Sequence, residues 1–197
     1  MVAGCVTTPP QTGDPAPRVS NAAQEAAYQE VLAQYTARDE VYALFDTRMF
    51  VGATYQSTAF REARVRRTAL FQVLPPAEVE PRLAAERAEA EAFHDFVLGV
   101  HMNDLRYDDF GRPKSIWRVA LVTGDGEITS ESIQRIGRSD LNLRALYPYM
   151  GTFWVAYRVR FPVKRADGSP VISSPGAPVT LRLASNIGKA ELRYPPR

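Results

Sequence analysis

Phe153-Trp154-Val155-Ala156-Tyr157-Arg158-Val159-Arg160-Phe161-Pro162-Val163 is the stretch whose reading decides the fold class. Phe153, Val155, Tyr157, Val159, Phe161 and Val163 alternate with Trp154, Ala156, Arg158 and Arg160. A period of two is the mark of a β-strand, whose successive side chains point to opposite faces. One face is fully apolar and predicts a core. The other sets an indole beside two guanidiniums. Toward the C-terminus, Asp167-Gly168 marks a turn and Val179, Leu181 and Leu183 a further strand. Ala190, Leu192 and Tyr194 form the last strand, which Pro195-Pro196 ends because proline cannot donate to a ladder.

Toward the N-terminus, Ile128 to Ile136 reads as a less regular strand. Before it, Gly124-Asp125-Gly126 supplies a tight turn, and Trp117, Val119, Leu121 and Thr123 share one strand face. Phe96, Leu98, Val100 and Met102 form the face of another. Short turns between strands imply antiparallel pairing.

Upstream of residue 93 the pattern changes. Asn21 suits a helix N-cap with Gln24 as its partner, opening a helix to about Tyr35 on which Ala27, Tyr28, Val31, Leu32 and Tyr35 form an apolar stripe. Val41 to Tyr55 is apolar on both alternating faces and predicts one long strand, with a helix from Asp39 to Phe45 as the competitor. Ser57 or Thr58 caps a helix to about Val73. Pro75-Pro76 breaks it and starts another, to about Ala92. The first of these two helices carries Arg61, Arg64, Arg66 and Arg67 against Glu62. The second carries Glu78, Glu80, Glu86, Glu89 and Glu91 against Arg82 and Arg87. Opposite charge across a short proline turn predicts an antiparallel αα-hairpin. The expectation is an α+β fold: an N-terminal helix, a long strand and an αα-hairpin over about 21–92, then an antiparallel sheet or sandwich of five to six strands over about 93–197. A single globular domain is expected over 21–197.

The chain has 197 residues, 45% hydrophobic and 23% charged, values of an ordinary globular protein. Its net charge of +2 gives no reason to expect a nucleic-acid partner. A single cysteine rules out an internal disulfide. That cysteine, Cys5, ends the run Val2-Ala3-Gly4-Cys5 and precedes Val6-Thr7-Thr8-Pro9-Pro10-Gln11-Thr12-Gly13-Asp14-Pro15-Ala16-Pro17. The first run resembles the lipobox of bacterial lipoproteins, in which the cysteine is lipidated and becomes the N-terminus. Valine replaces the more usual leucine, and the charged and apolar regions of a signal peptide do not precede it. The second run is a Pro- and Thr-rich spacer, expected to order no fold of its own and to run stiff and extended, so that residues 1–20 serve as lipid-anchor site and flexible tether. The resemblance implies a lipid on Cys5 and a domain held at a membrane, facing the periplasm. Val6, which is not the aspartate of inner-membrane retention, implies an outer-membrane destination in a Gram-negative bacterium.

The domain itself offers weak chemical signals. His94 and His101 are seven residues apart, so on one strand they face opposite ways and cannot share a metal. His94 would lie on the Phe96 face and His101 with Asp95 and Gly99. Asn103, Asp104, Asp108 and Asp109 fall in one loop but miss the spacing of a calcium loop, so no metal and no cofactor are expected. The arginines of the αα-hairpin are expected to face its partner helix. Trp154, Arg158 and Arg160 form an Arg–aromatic row that suits a partner-binding face if that side of the sheet is open. No nucleophile, zinc or phosphate-loop motif occurs. The leading expectation is therefore a non-enzymatic cell-envelope lipoprotein that binds or scaffolds another envelope component, with a protein of the envelope as the expected partner. A lipid- or small-ligand carrier and a hydrolase-like enzyme using His94 or His101 are the alternatives.

Overall fold

The protein is described by a computed structural model over residues 22–43 and 46–195. The elements in order are α1 (Ala22–Tyr35), β1 (Thr36–Ala43), β2 (Asp46–Tyr55), α2 (Thr58–Gln72), α3 (Pro76–Ala92), β3 (Phe93–Met102), a 3-10 turn (Leu105–Tyr107), β4 (Arg118–Thr123), β5 (Gly126–Thr129), β6 (Ser132–Arg138), α4 (Leu141–Leu146), β7 (Val155–Pro162), β8 (Val179–Ser185) and β9 (Gly188–Tyr194). The fold is α+β, with two antiparallel sheets of order β1-β2-β3-β7-β6 and β5-β4-β8-β9.

The larger sheet has both faces covered, which explains why its strands read as apolar on both sides. Met49 and Val51 of β2, Phe96, Leu98 and Val100 of β3, and Tyr157, Val159 and Phe161 of β7 meet Leu121, Leu181, Leu183 and Leu192 of the second sheet. On the opposite face, Phe50, Val97 and Ala156 pack with Tyr28 and Leu32 of α1 and Phe60 of α2. Gly52 and Gly99 lie opposite each other in neighbouring strands. They form a notch filled by Tyr149 and Met150 from the segment after α4; a Cβ on Gly52 would fall 2.8 Å from Tyr149 Cε2.

Three expectations are corrected. The single strand over Val41 to Tyr55 is a hairpin, β1 and β2, paired in register from Thr36↔Thr54 to Ala43↔Asp46 with a bulge at Val41/Tyr42. The Thr36-Ala37-Arg38-Asp39-Glu40 segment concealed β1 because the strand lies at a sheet edge, where charges are tolerated. Asp39 Oδ2 there accepts 2.7 Å from the Glu191 backbone N–H of β9. Ile128 to Ile136 is two strands in different sheets, β5 and β6, so seven strands follow the helices instead of five to six. Phe153 precedes β7 and is 55% exposed rather than core-facing. Asn21 lies outside the described residues.

The helix boundaries follow from local chemistry. The Ser57 hydroxyl accepts 3.2 Å from Phe60 N–H and caps α2. Glu86 of α3 receives both Arg61 and Arg64 of α2, each at 2.7 Å, and Glu62 receives Arg87 at 2.8 Å. Arg67 departs from the expected pattern. It turns to α1, bonding Glu25 and lying 4.2 Å over the Tyr28 ring. The hairpin joins the sheet through Asp95, fully buried on β3, which accepts Arg61 Nη2 at 2.7 Å and Arg160 Nε at 3.0 Å.

Candidate functional site: the β6 edge and its groove

β6 is the last strand of the larger sheet, and among the described residues no strand pairs with its outer edge. Ile133 and Gly137 are half-buried and the other five residues are exposed. Such an edge offers backbone N–H and C=O groups to an incoming chain. Ile136, 47% exposed, sits on it between Arg135 and Arg138.

Beside this edge runs a groove of about 660 Å3, walled by the end of β3, the loop after it, β6 and the start of β7. Phe153 and Leu105, the latter 64% exposed, give it apolar walls. Arg112, Arg135 and Arg138 line it and are exposed. None of the three forms an ion pair among the described residues.

The expected polar loop forms one wall; Asp104 and Asp109 serve the loop itself, and Asp108 ties it to β7. Asp104 caps the 3-10 turn, accepting 3.0 Å from Arg106 N–H, while Arg106 Nη2 lies 2.6 Å from its other oxygen. These hydrogen bonds hold the Asp104 carboxyl down at a pKa of about 2. Asp109 accepts from Ser115 Oγ at 2.8 Å and Ile116 N–H at 3.1 Å. Asp108 accepts the Tyr157 hydroxyl at 2.7 Å; burial, reinforced by this carboxylate, keeps that phenol well above its usual range. Asn103 donates to the Thr47 carbonyl at the start of β2. Among the described residues no group of three or more His, Cys, Asp or Glu is placed to hold a metal. The lining sets Arg112, Arg135 and Arg138 against Asp108 and Asp109, three positive side chains to two negative, a small excess that suits an anionic partner.

The two histidines point to opposite faces of β3, as their spacing implies. His101 borders the groove, its ring 6.5 Å from Trp154 at 27° and 6.2 Å from Phe50. His94 faces the inter-sheet side, with Nδ1 2.9 Å from the Tyr55 hydroxyl. Seven residues of strand separate them by about 23 Å, so they belong to different sites.

Trp154, Arg158 and Arg160 do not form an open face. Trp154 is 3% exposed, under Tyr149 and His101. Arg160 is bound to Asp95 and Glu89 and lies 4.0 Å over the Phe93 ring, and Arg158 is half-buried. Alternation identified this side of β7 correctly, but the helical layer covers it. The exposed groove arginines Arg112, Arg135 and Arg138 were missed, Arg135 also reaching the Tyr157 hydroxyl: one falls in the irregular strand over Ile128 to Ile136, one just beyond it and one in a loop, where no period marks them. Cys5 lies outside the described residues.

No family model matches the chain, and no curated protein matches it. Among solved structures it is similar to a protein of unknown function from Burkholderia pseudomallei K96243, at 10% identity with a TM-score of 0.44 over 87% of this chain and 83% of that one. No helix among the described residues is long and apolar enough to cross a membrane.

Proposed function

We propose that the protein is a non-enzymatic cell-envelope lipoprotein that binds another envelope protein along β6. The lipobox-like Val2-Ala3-Gly4-Cys5 supports a lipid on Cys5 and a periplasm-facing position at the outer membrane. The observation that carries the binding reading is the coincidence of an unpaired strand edge, a groove with apolar side chains in its walls and three exposed arginines on one side of the domain. A segment of the partner adds to β6 as an extra strand, its main chain bonding the free edge. Acidic side chains meet Arg112, Arg135 and Arg138, and an apolar side chain enters between Leu105 and Phe153. Partner recognition by charge also speeds encounter and weakens with salt.

Two experiments test the two parts. Photocrosslinking from benzoylphenylalanine at Gln134 in intact cells should give a reproducible adduct with one protein, while the same residue at Glu80 on α3 gives none. Arg135→Glu with Arg138→Glu should reduce that adduct at least fivefold. Equal adducts from both positions, or no response to charge reversal, would sink the edge reading. Radiolabelled palmitate should enter the cell-made protein and be lost in Cys5→Ala; equal labelling of both ends the lipoprotein reading.

A further inference from the structure

A second cavity lies at the other end of β3, away from the β6 groove. It holds about 480 Å3, within the range of roughly 300–1,000 Å3 usual for small-molecule sites. It opens between the last turn of α1, the β2–α2 junction, the end of α3, the 172–177 loop and the end of β9. Its lining contains no Asp, Glu, Lys or Arg, although 23% of the chain is charged. An ionised ligand would lose its water there and find no counter-charge.

The walls are aromatic. The Tyr55 ring stands edge-on to Tyr35 at 6.4 Å and to Tyr194 at 6.5 Å, each at 61°. Rings so arranged favour a flat aromatic guest by edge and face contact. Several polar atoms around them are already committed. The Tyr194 hydroxyl donates to Ala53 O at 2.7 Å. Gln56 donates to Thr54 O and accepts from Tyr147, and the Ser57 hydroxyl caps α2.

His94 retains unused capacity. Its Nδ1 is matched to Tyr55, but its Nε2 has no partner among the described residues. The phenol is the stronger acid and the imidazole the stronger base, so Tyr55 donates to Nδ1 and the ring's own proton sits on Nε2. Burial lowers the His94 pKa despite the nearby Asp95 charge, which keeps the ring neutral.

We propose that this cavity binds a small uncharged aromatic molecule whose carbonyl oxygen accepts a hydrogen bond from His94 Nε2–H. The proposal is independent of the β6 reading, since the two sites share no lining residue.

The test uses the neutral fluorophore N-phenyl-1-naphthylamine and its anionic sulfonated analogue on the purified protein. The neutral probe should bind saturably and at least tenfold more tightly than the anion. Benzanilide, which carries the carbonyl, should displace it. Ala177→Trp fills the cavity from its loop and should abolish binding. His94→Phe should weaken benzanilide at least fivefold while changing the neutral probe less than twofold. Circular dichroism establishes that each variant is folded, and Tyr55→Phe, milder than His94→Phe, should weaken benzanilide in the same direction. Equal affinity for the two probes, unaltered binding in folded Ala177→Trp, or benzanilide binding indifferent to both His94→Phe and Tyr55→Phe would overturn the proposal.

Discussion

Replacing Asp95 by alanine should be among the most damaging single changes to this domain. Asp95 is fully buried and ties the helical layer to the sheet: it holds α2 through Arg61, the neighbouring strand β7 through Arg160, and the approach to α2 through its own carbonyl, which accepts Gln56 N–H at 2.8 Å. Arg61 is 1% exposed and keeps only Glu86 and the Gln56 carbonyl once Asp95 is gone. Removing one partner of a buried pair costs about 3–5 kcal/mol when the other charge is left unpaired; Arg61 keeps Glu86, so the loss should lie near the lower end, about 3 kcal/mol. At about 2–4 °C per kcal/mol for a domain of this size, the melting temperature should fall by roughly 6–12 °C. Arg160 is 20% exposed and keeps Glu89, so its share of the loss should be the smaller. Glu62→Ala is the internal control, because its bonds to Arg66 and Arg87 are at the surface, where solvent screens them and little stability is at stake. Asp95→Asn, which keeps volume and part of the hydrogen bonding, should fall between the two. Urea unfolding followed by circular dichroism measures all three. Should Asp95→Ala cost no more than Glu62→Ala, the network would be ornamental and the reasoning wrong.

His94 contributes a stability that depends on pH. Its folded pKa is lowered from 6.5 by burial, so its contribution is complete above about pH 6.5 and declines as the pH falls toward the folded value. Urea midpoints between pH 7 and 5 should drop more for the native chain than for His94→Gln; parallel curves would refute this. Gly188, at φ +150, places a hypothetical Cβ 2.2 Å from Val41 Cγ1, where β9 meets β1, whereas Gly168, at φ +84, faces open space. Gly188→Ala combines backbone strain with overpacking and should cost about 2–5 kcal/mol, against about 1–2 for Gly168→Ala. Equal thermal shifts for the two would contradict the close approach of β9 to β1.

The candidate surfaces were only partly legible. The opposite facing of His94 and His101 needed nothing beyond an odd spacing on one strand. The loop with Asn103, Asp104, Asp108 and Asp109 was visible as a polar cluster, and its acids prove to fold the loop and to tie it to β7. The row of Trp154, Arg158 and Arg160 misled because period two separates faces without saying what covers them. Arg61 and Arg67 share one helix and one chemistry, yet the first meets Asp95 of the sheet and the second Glu25 of α1. No helical spacing distinguishes those destinations.

Sequence alone determined the α+β class, the cap at Ser57, the proline break at Pro75-Pro76, the charge match between α2 and α3, and which side of β7 is apolar. These are local properties: a turn, a cap or an alternation is encoded within a few residues. Tertiary structure decided that Thr36–Ala43 pairs as an edge strand and that the chain changes sheets between β5 and β6. It also decided that Tyr149 and His101 cover Trp154 and that Arg112, Arg135 and Arg138 gather beside an unpaired β6. Those outcomes depend on which strands become neighbours. Alternation fixes the face a side chain takes but leaves its partner to be chosen by packing across the whole chain.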